Sequence, residues 1–579
     1  MFRPEIVHSL KSYDKAHFMH DVFAGVTVGF VALPLAMAFA IASGLPPERG
    51  LFTAIVAGFL ISALGGSKVQ IGGPTGAFIV IVAGIASTHG YVGLVWSMLL
   101  AGGLLIALGL ARMGALIKFI PLPVVTGFTS GIAVVIFSTQ IKDLLGLRME
   151  EVPVEFVDKW VEYLVYFRTI DPATAAVGIG TIAVIVLVRR MAPRLPSMLI
   201  AMVVATAAVA LFKLDVETIG GRFGELPRAL PSPSLVPLSF TQIQALVPAA
   251  FTVGILAAIE SLLSATVADG MIGSKHKPNV ELVAQGVANI GAAFLGGIPA
   301  TGAIARTATN VKSGARTPVA GIIHAITLAA LLFLAAPLAA GIPLAALAGI
   351  LVLVSYNMSE IEHFRSLLRA PRSDVMVLLS TFALTILVDL TVAVEVGIVL
   401  AALLFIRRMS EVSNVGIITR ELRGDEDESA DPNSIETRDV PPGVEVFEIQ
   451  GPFFFGAAER FQEIIRRIEK PVPVVILRLR DVPAIDATGL HVLRTFHQQC
   501  RRDGAVLILS GVHAQPLFAL QRSGLWDEIG SDNILGNIDD SLNVARRHLG
   551  LPAVSRPVPF VPTVRREAGN TDSAASPDL

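Results

Sequence analysis

A single cysteine in 579 residues, Cys500, excludes an internal disulfide and leaves no thiol-based metal or redox motif. Charge is scarce as well. Asp, Glu, Lys and Arg make up 16% of the chain, where a soluble protein of this size carries about a quarter. The net charge of −2 gives no argument for a nucleic-acid partner, and none is expected. There is no P-loop, so nucleotide hydrolysis is not expected to power anything. No metal constellation and no nucleophile–base pair stand out, so the chain is not read as an enzyme and no cofactor is expected.

What is present is apolar: 53% of residues are hydrophobic and the mean hydropathy is +0.67. The apolar residues fall in runs. "DVFAGVTVGFVALPLAMAFAIAS" (21–43) and "AAVGIGTIAVIVLV" (175–188) carry no Lys or Arg and span, or nearly span, a hydrocarbon core of about 30 Å. No small-residue cleavage site follows the first run, so it is read as a membrane segment and not as a signal peptide. The pattern predicts a polytopic α-helical protein of the lipid bilayer with fourteen segments. They lie at about 21–43, 51–65, 74–88, 91–111, 118–140, 172–190, 195–212, 245–268, 280–295, 301–311, 317–338, 342–356, 372–390 and 392–408. The segments starting near Thr75 and Thr301 are too short for a simple crossing.

Cytoplasmic loops collect Lys and Arg. With the N-terminus inside, those loops hold Arg112 and Lys118; Arg189, Arg190 and Arg194; Lys275 and Lys277; Lys312 and Arg316; Arg365, Arg369 and Arg372; and Arg407 with Arg408. The long loop 141–171 falls outside and is acid-rich, with Asp143, Glu150, Glu151, Glu155, Asp158 and Glu162. The expected location is the cell inner (plasma) membrane, with both termini cytoplasmic. Composition changes near 410. The division is a cytoplasmic N-terminus (1–20), a membrane domain (21–410), an acidic linker (411–442), a soluble domain (443–548) and a disordered tail (549–579).

Two phrases nearly repeat: "GGPTGAFI" (72–79) and "GGIPATGAIART" (296–307). Each opens the third segment of a seven-segment half. An odd number of spans per repeat inverts the second half against the first. Short segments broken by Gly and Pro at matching places point to a substrate site at the bilayer midplane. Extended backbone at that depth requires cover from protein or a water-filled cavity. Helices are expected to start near Thr75 and Thr301, with Thr as cap or first-turn donor. Their facing N-termini carry free N–H groups and partial positive charge, which together suit an anion. The expected ligands are Thr75, Gly76 and Ala77 in the first half, and Thr301, Gly302, Ala303 and Arg306 in the second. The alternative is that Gly, Pro and Ala here only allow close helix packing.

An arginine as deep as Arg306 costs about 2.5–3.5 kcal/mol even on the lenient insertion scale, so it should face a cavity or an anion. Its fork of donors suits sulfate, bicarbonate or a carboxylate. The other reading has it snorkelling to the inner interface beside Lys312 and Arg316. Glu260 follows a dozen apolar residues. It is a candidate proton carrier, or a cation ligand with Ser264 one turn later, or a permanent partner of Arg306. Asp389 and Glu395 are expected at a solvated outer turn between the last two spans.

The chain resembles the sulfate permease anion transporters from about residue 15 to 545. The likeness rests on Asp21, Ala24-Gly25, Pro34 and the "GLPPERGL" turn (44–51). It extends to "GFTSGIAVVIFSTQIKDLLG" (127–146) and "ELVAQGVANIGAAFLGGIPATGAIARTATN" (281–310). The resemblance implies a secondary-active anion transporter with an inverted seven-plus-seven fold. It also implies a mobile core of segments 1–4 and 8–11, a gate of segments 5–7 and 12–14, and a homodimer. Many members have Pro-Gln where this chain has Pro34-Leu35, and some have serines where it has Ala303 and Ala305. "IESLLSATVADGMIGSKHKPNVELVAQG" (259–286) is most like the bacterial C4-dicarboxylate branch. In the bicarbonate branch an Asp that helps bind sodium stands at the place of Glu260. The longer Glu favours proton-coupled symport here, with sodium-coupled bicarbonate uptake as the alternative. Sulfate, C4-dicarboxylate and bicarbonate stay open as the anion. An anion-sensing receptor that signals without transport is the reading from another class.

Beyond 443, strands and helices alternate, which predicts a small α/β layer. "RDVPAIDATGLHVL" (480–493) resembles the STAS domain motif, which implies a cytoplasmic regulatory partner. In phosphorylated relatives a Ser or Thr precedes the Gly at the helix start; here Thr488 holds that place and Asp486 starts the turn. Both residues also suit ordinary helix capping.

Overall fold

A computed structural model of the protein describes residues 3–554 apart from 116–120, 150–151, 154, 193–194, 234, 389, 413, 418–437 and 467–471. Lys118, Glu150, Glu151, Arg194, Asp389, the acidic stretch 423–437 and the tail 555–579 therefore lie outside the described residues. The chain divides into two units, Met1–Ala401 and Ala402–Leu579.

The first unit is helical. α1 (Lys15–Ala42) and α2 (Pro47–Leu64) lead to a two-residue strand, β1 (Gly72–Gly73). A 3-10 turn, Gly76–Phe78, opens α3 (Ile79–Leu110), which breaks at Gly90 with φ 66°. α4 (Leu122–Leu145), α5 (Phe156–Tyr166), α6 (Pro172–Met191) and α7 (Ser197–Phe212) complete the first half. The second half holds α8 (Val247–Ile272), α9 (Pro278–Phe294) and the strand β2 (Thr301–Gly302). It continues with α10 (Ile304–Lys312), α11 (Val319–Ala339), α12 (Leu344–Met358), α13 (Arg372–Leu387) and α14 (Leu390–Val412). Among the described residues, seven helices are long and apolar enough to cross a membrane on their own. The fourteen expected segments all fall on this set of helices, with 74–88 and 91–111 as the two limbs of α3 on either side of Gly90.

The packing obeys the repeat. α3 lies on α9 as α11 lies on α2. α8 lies on α3 as α1 lies on α11, and α4 lies on α13 as α12 lies on α6. Adding seven segments to one member of each pairing yields the other, which is the signature of inverted halves. Small residues allow the closest contacts. A Cβ on Gly25 of α1 would stand 2.4 Å from the carbonyl oxygen of Ala320, so only glycine permits this approach. The helix α5 is an addition to the sequence reading, which left 141–171 as a loop. Its Tyr163 hydroxyl donates to the Ser138 carbonyl of α4 at 2.8 Å and pins the helix there.

The second unit is a five-stranded sheet in the order β3 (Asn414–Ile417), β4 (Val444–Gln450), β5 (Val474–Asp481), β6 (Val506–Ser510) and β7 (Ile534–Leu535). β3 pairs antiparallel with β4, and the remaining pairs are parallel. Both faces are covered, so β5 reads as a nearly unbroken buried apolar run. On one side α15 (Phe455–Arg466) and α16 (Ala487–Arg502) close over Phe447, Phe453, Phe461 and Phe496, whose rings meet edge to face. On the other, α17 (Ile538–His548) packs on Val446, Ile476 and Ile508.

Two expected boundaries move. Residues 411–442 are not a linker throughout, because β3 joins the sheet and Asn414 pairs with Gln450. Arg438 pairs with Asp539 at 3.1 Å and Asp439 with Arg546 at 2.8 Å. A four-residue edge strand held by backbone hydrogen bonds has no apolar run long enough to read. The tail also starts later than 549: Asn543 takes the Val554 N–H at 2.9 Å.

Candidate anion site

β1 and β2 cross antiparallel, Gly72 opposite Gly302 and Gly73 opposite Thr301. Two extended strands too short to cross anything thus complete each other's backbone hydrogen bonding inside the helical unit. Each then turns into a helix. Thr75 stands at the N-cap of the 3-10 turn and Ala303 at the N-cap of α10, and neither end has a side-chain cap. First-turn N–H groups have no partner within their own helix, so both ends remain able to take an acceptor. The crossing sits beside Glu260 and Ser261, halfway along the 26-residue α8.

The scaffold is polar and specific. The Asn289 side chain bonds both the N–H and the carbonyl of Ala300, at 2.9 and 2.8 Å. Thr53 does the same for Ile298. Ser261 Oγ accepts the Gly302 N–H at 3.1 Å and shares a 2.7 Å hydrogen bond with Thr301 Oγ1, which also bonds the Ala257 carbonyl. Thr301 and Gly302, expected as anion ligands, therefore direct their polar groups into α8. Thr301 does not start the helix either. The chain stays extended through Gly302, and α10 begins at Ile304. Gly76, Ala77 and Ala303 are buried at the two helix starts; the Ala303 N–H donates to the Ile71 carbonyl at 2.8 Å, so the open donors of α10 begin at Ile304.

Arg306 is 3% exposed. Its Nη2 donates to the Pro74 carbonyl, and among the described residues its Nη1 has no partner. Gly73 makes room for it: a Cβ there would stand 2.7 Å from Nη1, and the backbone φ of 147° disfavours any side chain. The guanidinium thus bridges the two half-helices, gripping the start of one from the first turn of the other. It does not snorkel out of the fold.

Glu260 is half-buried and accepts a 3.0 Å hydrogen bond from Thr75 Oγ1, so Thr75 does not cap its own turn. With Ile304 it lines a mainly apolar cavity of about 300 Å³ between α4, α8 and α14. Glu395 lines the same cavity rather than sitting only at a turn. Among the described residues no ion pair joins Glu260 to Arg306, so the permanent pairing is absent. Ser264 does not assemble with Glu260 either. Its hydroxyl donates to Thr307 Oγ1 at 3.2 Å, and that atom also takes the Ile71 N–H.

Several residues escaped the sequence reading. Ser261, Thr307, Asn289 and Gln70, which donates to the Ser261 carbonyl at 2.8 Å, tie the crossing together. Glu281, fully buried on α9, accepts from Gly66 N, Ser67 N and Gln285 Nε2. Asp21 accepts from the N–H groups of Arg316 and Thr317 and fixes the turn into α11. Their signal was a polar residue in an apolar segment, which flags importance but names no partner. His324 on α11 is buried, and among the described residues neither ring nitrogen has a hydrogen-bond partner. Among the described residues no group of three or more His, Cys, Asp or Glu is placed to hold a metal.

In the second unit Asp486 caps α16, accepting the Gly489 N–H at 2.7 Å, while Thr488 is exposed in the first turn. Cys500 is on the buried face of α16, and burial pushes its thiol up to about 12, which makes it unreactive.

Inverted helical halves, crossed strands and a buried arginine between two uncapped helix starts define a membrane anion transporter. Residues 18–381 match the sulfate permease family and residues 437–545 match the STAS domain. The chain belongs to the sulfate permease family. It is 39% identical over 532 residues to the candidate sulfate transporter YvdB of Bacillus subtilis (strain 168), covering 92% of this chain and 98% of that one. It is 29% identical over 553 residues to the bicarbonate transporter BicA of Picosynechococcus, covering 92% and 96%. The solved transmembrane domain of a cyanobacterial BicA superposes with a TM-score of 0.60 at 31% identity, covering 66% of this chain and 98% of that one. The murine Solute Carrier 26 family member A9 anion transporter, in its inward-facing state, shares the fold over 94% of both chains at 18% identity, with a TM-score of 0.82.

Proposed function

We propose that this anion transporter carries a small oxyanion, sulfate or bicarbonate, by proton-coupled symport with alternating access. The anion lies between the starts of the two half-helices. It accepts from the first-turn N–H groups of Gly76 and Ala77, from those that follow Ala303 at the start of α10, and from the Arg306 side chain. The observation that carries this reading is Arg306 Nη1, a charged donor in a buried place with no partner among the described residues. Buried donors are rarely left unpaired unless a ligand completes them. Relatives named for sulfate and for bicarbonate support the choice of anion.

Glu260 is the proton carrier in this reading. It faces the cavity beside α10 and is tied only to the hydroxyl of Thr75, so binding or losing a proton alters the charge next to the anion without dismantling a salt bridge. The engagement of Ser264 with Thr307 weighs against a Glu260–Ser264 cation site. The family resemblance supports a homodimer in the inner membrane with both termini cytoplasmic. It also supports a regulatory partner at the STAS domain, acting through the exposed Thr488 beside Asp486.

The test is uptake of labelled sulfate and bicarbonate into proteoliposomes under an imposed proton gradient, with and without sodium, and with C4-dicarboxylates as competitors. Concentrative uptake in sodium-free buffer is expected. Uptake that requires sodium would refute proton coupling, and binding without flux would favour an anion-sensing receptor.

A further inference from the structure

We propose that a second anion site lies in a vestibule at the other end of the first half-helix, where Lys159 receives a small oxyanion before it reaches Arg306. The proposal rests on the transport reading and on the orientation that puts the loop 141–171 outside.

The vestibule is a cavity of about 480 Å³ walled by the end of α1, the first limb of α3, α4 and α5. It runs down to Ile79, one residue past the 3-10 turn that holds Gly76 and Ala77. Lys159 lines it and is 4% exposed. The reason for its burial is local. Lys159 and Tyr163 are four residues apart on α5 and share a face, and the Tyr163–Ser138 hydrogen bond presses that face onto α4. Leu147 and Met149 close the apolar contact around Tyr163.

The neighbouring charges leave Lys159 uncompensated. Arg222, on the same wall, is bound by Asp143 at 2.8 Å and by Glu217 at 2.5 Å. Among the described residues the Lys159 ammonium makes no hydrogen bond or ion pair, and burial alone holds it below the usual lysine range. A buried ammonium without a counter-ion is unfavourable, and a mobile anion relieves it. The charged lining of the cavity is Lys142, Lys159, Arg222 and Asp143; cations outnumber the carboxylate, and such an excess raises the local concentration of anions. The structure therefore has a cation facing a cavity that ends one turn from the proposed transport site.

The experiment uses the reconstituted full chain and two readouts. The first is labelling of Lys159 by an uncharged acetylating reagent, followed by peptide mass spectrometry. A depressed lysine reacts readily near neutral pH. Sulfate or bicarbonate should slow its labelling saturably while leaving the exposed Lys213 unaffected, and the protection should persist in Arg306→Ala. The second is uptake kinetics. Lys159→Met should raise the KM for external anion by about tenfold, the lower end of what electrostatic focusing supplies, with little change in Vmax, and Lys159→Arg should restore it. Labelling indifferent to anion at concentrations that saturate transport would overturn the proposal. So would protection that disappears in Arg306→Ala, because the anion would then act only from the deeper site. The labelling readout needs no Lys159 variant to fold. The effect of Arg306→Ala on uptake is read separately, so the transport reading can fail while the vestibule stands.

Discussion

The helix starts of the two units can be set side by side. In the C-terminal unit Asp486 uses its carboxylate on the Gly489 N–H, and α16 is closed. In the membrane unit Thr75 gives its hydroxyl to Glu260 instead, and Ala303 has none to give. The physics of the ends is the same: unpaired N–H groups and a partial positive charge. A capped end adds to stability, typically about 1 kcal/mol. An uncapped end gives that up and retains its donors for a ligand. The loss has to be offset by the surroundings, and the crossing is indeed held by Asn289, Thr53 and Ser261 from neighbouring helices and by Gln70 from the stretch before β1. Position in a family motif does not separate the two cases. What separates them is whether the nearest side-chain acceptor turns toward its own helix or away from it.

Substitutions at these ends test that contrast. Arg306→Ala removes the one charge that completes the uncapped pair. Losing one side of a buried, hydrogen-bonded charge contact costs about 2–5 kcal/mol, so uptake in proteoliposomes should fall by about a hundredfold with the protein still folded. Unchanged uptake over a wide anion range would return Arg306 to a purely structural role.

Gly73→Ala comes next. It leaves every polar group in place but sets a Cβ 2.7 Å from Arg306 Nη1 at a φ of 147°. Strain of this kind costs about 1–3 kcal/mol. Both transport and the thermal midpoint should drop, and a variant with normal uptake would show that Arg306 tolerates displacement. Glu260→Gln keeps size and most hydrogen bonding but cannot carry a proton. Uptake should lose its dependence on the proton gradient while anion binding survives in part. If the gradient still accelerates uptake, the proton travels elsewhere.

The smallest effects belong to the capped end. Asp486→Ala should destabilise the C-terminal unit by about 1 kcal/mol, read by hydrogen exchange in the full chain, with transport nearly intact. Thr488→Ala, at an exposed position, should stay within about 0.5 kcal/mol. A large loss of transport from either would mean that the end of α16 serves more than stability.

The sequence by itself determined the fourteen segments, their inverted pairing and the extended chain leading into two helix starts at the matching Gly-Gly phrases, because hydropathy, segment length and repetition are properties of the local chain. The parallel-sheet core of the second unit was legible for the same reason. The partners were decided only by the tertiary structure. Thr75 meets Glu260 across 185 residues, Ser264 meets Thr307 and not Glu260, and Arg306 grips Pro74 rather than a carboxylate. Lys159 reads as one charge in an acidic loop until α5 folds onto α4 and buries it beside the vestibule. Hydrophobicity acts on each segment alone and sets which residues enter the membrane. A hydrogen bond needs two groups within about 3 Å, and only the packing of distant helices determines which two those are.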